Sequence, residues 1–143
     1  MGWIAAIIGC LLLAGVLLRI DDWKRDWTTN WARTDPQAAA PDLRPLELPA
    51  DPASVQQTVI AWVDEQPQWT VLEKSEGAPH RLHLVRRTRL WRFPDDVHVT
   101  IEASPSGEGS LLKAESRSRF GKGDLGQNPR NLKELIRGLQ NRR

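Results

Sequence analysis

Cysteine and tyrosine are almost missing from this chain of 143 residues: Cys10 stands alone and there is no tyrosine. A single cysteine rules out an internal disulfide and any zinc site built mainly from thiolates. Charge of one sign is scarce too. The net charge is +2, too small for a nucleic-acid-binding surface, which needs a dense basic stripe. The length leaves room for one core and no second one. What charge there is sits unevenly. Residues 1–52 hold five Lys/Arg against seven Asp/Glu, and residues 53–143 hold fifteen against eleven, a mildly basic +4. Tryptophan is plentiful, with seven copies.

From Trp3 to Leu18 no residue is charged. Sixteen helical residues span about 24 Å, and continuing to Ile20 with Arg19 snorkelling brings the run close to a hydrocarbon core of about 30 Å. Nine Ile, Leu and Val residues favour insertion by about 3 to 5 kcal/mol. A cleaved secretory signal would want a basic start and a small-residue cleavage site, and neither is present. Ile7-Ile8-Gly9-Cys10 resembles a lipoprotein signal, but few residues precede Cys10 and the apolar run continues beyond it. A buried core helix would show a polar side, which this run lacks. The expectation is a transmembrane anchor over 1–20.

Trp23, Trp27 and Trp31 recur at i, i+4 and i+8. On a juxtamembrane helix over 21–34 they form one stripe suited to the headgroup boundary, the alternatives being that it docks on the soluble domain or meets a membrane partner. Arg19, Lys24, Arg25 and Arg33 follow the apolar run and no basic residue precedes it, so the positive-inside rule points the remainder toward the cytoplasm. Pro36, Pro41, Pro45, Pro49 and Pro52 then space out a semi-extended linker over 35–52.

Residues 53–143 read as one soluble domain. Asp51-Pro52 caps and starts a helix with Val55, Val59, Trp62 and Val63 on one side, ending before Pro67. Four strand-like runs follow: Trp69–Lys74, Arg81–Leu90, Val97–Ala103 and Leu111–Arg119. Asn128-Pro129 then opens a helix with Leu132, Leu135, Ile136 and Leu139 as its apolar stripe. Helix, four strands, helix predicts an α+β fold: a two-layer sandwich of a four-stranded antiparallel sheet with two helices on one face. The other face would be basic, carrying Arg81, His83, Arg87, Arg89, Lys113, Arg117 and Arg119.

Two stretches carry a family likeness: Phe93-Pro94-Asp95-Asp96-Val97, and Ser116-Arg117-Ser118-Arg119-Phe120-Gly121-Lys122-Gly123-Asp124-Leu125-Gly126-Gln127-Asn128. On these, the chain from Arg89 to Leu139 resembles DUF1499, a bacterial and plastid family of unknown function. The resemblance implies no particular reaction, since that family has none assigned. It does imply a bacterial inner membrane as a natural setting for the anchor.

Gly121, Gly123 and Gly126 spell G-x-G-x-x-G, but too little chain follows for a βαβ dinucleotide unit. The same turn is a candidate anion site, using Arg117, Arg119, Lys122, Gly123, Asp124 and Asn128 at a helix N-terminus. The plainer reading is a tight connection in which Asp124 accepts backbone hydrogen bonds or pairs with Arg119. Asp95 and Asp96 are candidate loop acids; with His98 they fall short of a metal site. A Ser116 or Ser118, His98, Asp96 nucleophile lacks any supporting elbow. The function expected is a membrane-anchored, non-catalytic binding or accessory domain using its basic face on headgroups or an anionic partner, or one subunit of a membrane complex. The alternative is a small-anion binder or enzyme built on the Asp95/Asp96 and Gly121–Asn128 loops. No cofactor, metal or nucleic acid is expected.

Overall fold

The computed structural model describes residues 2–18, 28–75, 77–89 and 92–142. Helix α1 (Gly2–Leu17) is followed by strand β1 (Trp31–Arg33), a 3-10 turn (Pro41–Leu43), β2 (Leu46–Leu48) and α2 (Pro52–Asp64). Strands β3 (Trp69–Ser75), β4 (His80–Arg87), β5 (Pro94–Ala103) and β6 (Ser110–Ser118) come next, then helix α3 (Gln127–Gln140). The sheet is antiparallel and runs β1-β6-β5-β4-β3, with β2 also paired to β6. The α+β class holds.

The sheet has six strands rather than the expected four. Both extra strands lie on the outer edge of β6: Trp31 to Arg33 opposite Arg117 to Glu115, and Leu46 to Leu48 opposite Leu112 to Ser110. Trp31–Arg33 is therefore a strand and not the end of a helix over 21–34; Trp23 and Trp27 lie outside the described residues. The proline-spaced stretch over 35–52 likewise packs. Leu46 and Leu48 are buried on either side of exposed Glu47, and Ser110 Oγ donates to the Ala50 carbonyl at 2.6 Å. Edge pairing satisfies the backbone here, and two leucines supply the burial.

Alternation along each long strand divides the side chains. On β5, Asp95, Val97, Val99 and Ile101 are buried, while Asp96, His98, Thr100 and Glu102 face the open side. Register places Leu82, Leu84, Leu112, Ala114 and Ser116 on the covered side with them. Both helices cover that side, as expected. Val55, Val59, Trp62 and Val63 of α2 and Leu132, Leu135, Ile136 and Leu139 of α3 join the sheet leucines and valines in one core. Asp51 caps α2, its Oδ1 accepting from Ala53 and Ser54 N–H at 3.0 Å each. Trp62 meets Trp69 edge-on, with centroids 5.1 Å apart. Trp69 Nε1 donates to Glu134 Oε1 at 2.9 Å, which ties β3 to α3.

The open face is mixed rather than uniformly basic. Asp96, Glu102 and Glu115 alternate with Arg81, Lys113 and Arg117 across paired strands, and Lys113 pairs with Glu102. Helix α1 is apolar on all sides, and Trp3, Ile4, Leu11, Leu12 and Leu13 are all exposed. No helix among the described residues is long and apolar enough to cross a membrane. Arg19 and Ile20, the end of the expected span, lie outside the described residues.

Candidate functional site

The turn between β6 and α3 is built on buried polar side chains. Ser116 and Ser118 point from β6 to the covered face. Above them, Asn128 and Asn131 project from the first turns of α3, and both are fully buried. Ser116 Oγ donates to Asn128 Oδ1 at 2.7 Å and accepts from Asn131 Nδ2 at 3.1 Å. Asn128 Nδ2 donates to the Asn30 carbonyl at 2.8 Å and to Ser118 Oγ at 3.0 Å. Asn131 Nδ2 also donates to Asp95 Oδ2 at 2.9 Å. Every member of this layer has a partner, the condition under which buried polar groups fix one arrangement.

The start of α3 lies two residues before the expected Asn128 cap. Gly126 occupies the cap position in the left-handed region, with φ of 74°, and Asp124 does the capping. Its Oδ1 accepts from Gly126 N–H at 2.9 Å and its Oδ2 from Asn128 N–H at 2.8 Å. The backbone donors that an external anion would use at this helix end therefore hold the chain's own carboxylate. Gly121 also adopts a positive φ, 88°. This is the tight connection read from the sequence, except that Arg119 pairs with Asp96 and not with Asp124.

Asp95 and Asp96 part company. Asp95 is 2 % exposed. Burial pushes its carboxyl up, against the pull of hydrogen bonds from Asn131 and Ser118 and the nearby Arg86 charge; Asp124 pushes the same way as burial. Asp96 lies on the open face, where Arg119 donates to it from Nε at 2.8 Å and Nη2 at 2.6 Å. His83 Nε2 adds a third hydrogen bond at 2.7 Å. The Arg119 fork, aided by His83, holds Asp96 down to about 2. His98 stacks on His83, with ring centroids 4.4 Å apart. Among the described residues no group of three His, Cys, Asp or Glu side chains could hold a metal. Ser116 and Ser118 lie across the sheet from Asp96 and His98, so these side chains do not meet.

The Phe93–Asp95 turn and the Phe120–Gln127 turn share a cavity of about 320 Å³. Asp95 and Ser118 line it from the sheet; Phe93, Phe120, Gly121, Gly123, Asp124 and Leu125 line it from the turns. The two phenylalanine rings lie 6.3 Å apart and both are more than half exposed. Of the residues expected at an anion site, Gly123 and Asp124 line this cavity. Asn128 is buried behind it, Arg119 is engaged by Asp96, and Arg117 faces the open side. Lys122 is exposed in the turn. Sequence reasoning passes over Asn131 and treats Phe120 only as part of a motif. The signal for Asn131 is its position beside Leu132 and Leu135 on the apolar stripe, where a polar residue needs a buried partner.

A profile of the family described as "Protein of unknown function (DUF1499)" matches residues 24–139. No curated protein and no solved structure matches the chain.

Proposed function

We propose that this chain, which belongs to the DUF1499 family, is a membrane-tethered, non-catalytic binding domain. The observation that carries this reading is the state of α1. Its Trp3, Leu11 and Leu12 are 86 %, 67 % and 68 % exposed. An all-apolar helix with no polar side and no protein over it calls for lipid as its solvent. Sixteen residues fall a little short of the about 20 that span a bilayer. The sequence continues with Arg19 and Ile20, which lie outside the described residues and would bring the span to that length. The basic residues after the run favour a cytoplasmic domain at a bacterial inner membrane. There Arg81, Arg87 and Arg117, all on the open face by register, can meet anionic headgroups.

Membrane fractionation tests the tether. The full chain should pellet with membranes, resist salt and alkaline carbonate, and come off in detergent. Leu11→Arg with Leu13→Arg should move it to the supernatant. Full-length wild-type protein in the high-speed supernatant without detergent refutes the reading. Protease protection in spheroplasts reports the side, and Arg87→Glu with Arg117→Glu should weaken salt-sensitive binding to anionic vesicles.

A second reading concerns the cavity between the two turns, favoured by one observation: a buried acid and two exposed aromatic rings border the same space. Pockets of about 300 Å³ and upward, mostly apolar with a few polar groups, are where small ligands bind. This reading makes the domain a small-molecule binder, with Asp95 and Ser118, which hydrogen-bond to each other, as polar groups on the cavity wall.

A further inference from the structure

We propose that the cavity between the Phe93 and Phe120 turns binds the alkylammonium group of a small amine. The inference rests on the cavity being a ligand site and goes further by naming the chemical class. Two carboxyl side chains, Asp95 and Asp124, line the cavity, and among the described residues no Lys or Arg does. A cation is favoured there and an anion is not.

The walls point the same way. Phe93 and Phe120 are 53 % and 66 % exposed, with centroids 6.3 Å apart and planes tilted by 50°. Two aromatic rings bordering a cavity that an acid also lines are the side-chain types that hold a quaternary or primary ammonium by cation–π attraction. Asp124 is held by two backbone N–H groups, so it is fixed in place as a negative group. Asp95 is anchored by Asn131 at 2.9 Å but lacks a cation in hydrogen-bond contact among the described residues. Burial holds its carboxyl up although the nearby Arg86 charge pulls the other way, and an incoming ammonium adds a counter-charge from the cavity side. Ser118, on the same wall, accepts from Asn128 Nδ2 at 3.0 Å and hydrogen-bonds to Asp95, which helps to fix that carboxyl. The volume of about 320 Å³ suits a headgroup-sized ligand, not a nucleotide.

The test is titration calorimetry on the full chain in nanodiscs of phosphatidylglycerol, with three probes of similar size: choline, its neutral isostere 3,3-dimethylbutan-1-ol, and butyrate. Choline should bind at least about ten-fold more tightly than the neutral isostere, with butyrate weakest. Asp95→Asn should cost choline about ten-fold while leaving the isostere unchanged. Phe93→Leu with Phe120→Leu should weaken choline several-fold; if Asp95→Asn fails to fold, this pair and the wild-type probe series decide. Equal binding of choline and the isostere, or tighter butyrate, overturns the ammonium assignment and leaves the cavity as a ligand site. Binding of none of the three overturns both. Weaker choline binding when phosphatidylethanolamine is added to the nanodisc identifies a lipid headgroup as the amine's source, and unchanged binding identifies a free amine.

Discussion

Asp95 and Asp96 are neighbours in the chain, yet they lie on opposite faces of β5 and their acidities are pushed in opposite directions. Asp95 rises because burial disfavours its charge. Its folded form is therefore most stable when protonated, below the unfolded value of about 3.9, and this contribution is lost as pH climbs through the raised value. Arg86 from β4 and Asp124 from the following turn act on it with opposite signs. Asp96 falls to about 2 under the Arg119 fork. Its contribution is present above about 3.9 and disappears as pH drops toward the lowered value. Between pH 4 and pH 7, the stability of Asp95→Asn should improve relative to wild type. Asp96→Asn should cost stability at pH 7 and little at pH 2. Chemical denaturation from about pH 2 to pH 7 checks both slopes; parallel curves for wild type and Asp95→Asn would sink the assignment.

Asn131 joins Asp95 to Ser116 and also accepts from Gln127 Nε2 at 2.7 Å. Truncation to alanine removes one hydrogen bond from a buried carboxyl and one from a buried hydroxyl, leaving Asp95 with Ser118 and Ser116 with Asn128. Asn131→Ala should destabilise the domain by about 1–3 kcal/mol, since two buried hydrogen bonds are lost at about 0.5–1.5 kcal/mol each. Gln140→Ala on the same helix, where the side chain is exposed, should stay within about 0.5 kcal/mol. Urea midpoints for the two variants measure the contrast.

The elements that show a period are the ones legible from sequence. Val55, Val59, Trp62 and Val63 repeat over a full two turns, and the Asp51-Pro52 start carries its own chemistry, so α2 can be placed closely. β5 and β6 alternate over nine or ten residues, enough to fix both their faces. β1 and β2 are three residues each, too short to display a period, and they form only because β6 offers an edge. Spacing from Trp23 and Trp27 assigns Trp31 to a helical stripe. Its actual place opposite Arg117 is a tertiary choice that no local pattern encodes. At the candidate site, the Gly-rich turn is legible as a connection, while its capping residue is not. Asn128 looks like a cap by type, but Asp124, four residues earlier, reaches its N–H. The cavity itself depends on two turns separated by two strands, and spacing along the chain does not reveal that.

Asp124 satisfies two N–H groups at the start of α3. Asp124→Ala should cost about 1–2 kcal/mol, the usual loss for a removed cap. Lys122→Ala, an exposed residue in the same turn, should change stability by no more than about 0.5 kcal/mol. A comparable loss for both would mean that the turn is held by charge rather than by capping. Thermal unfolding at high and low salt separates the two, because the cap survives salt and a surface charge effect does not.

Gly138 sits on α3 where the helix crosses α2, and its missing side chain is what admits Trp62. A Cβ at that position would strike the indole ring at Nε1, Cε2 and Cζ2. Trp62 is 4 % exposed and braced edge-on by Trp69, so it has little freedom to withdraw. Two effects compete in Gly138→Ala. Alanine favours the helix by up to about 1 kcal/mol, whereas forcing an extra carbon into a packed crossing costs about 1–3 kcal/mol. The clash lies against a rigid ring and not a flexible chain end, so the packing cost should win and the variant should melt below wild type. The double variant Gly138→Ala with Trp62→Leu offers the decisive comparison. If the crossing is the cause, Gly138→Ala should cost less in the Trp62→Leu background than beside the native indole, a coupling readable from a four-member denaturation cycle. Independent, additive effects would place the role of Gly138 elsewhere than in the helix crossing.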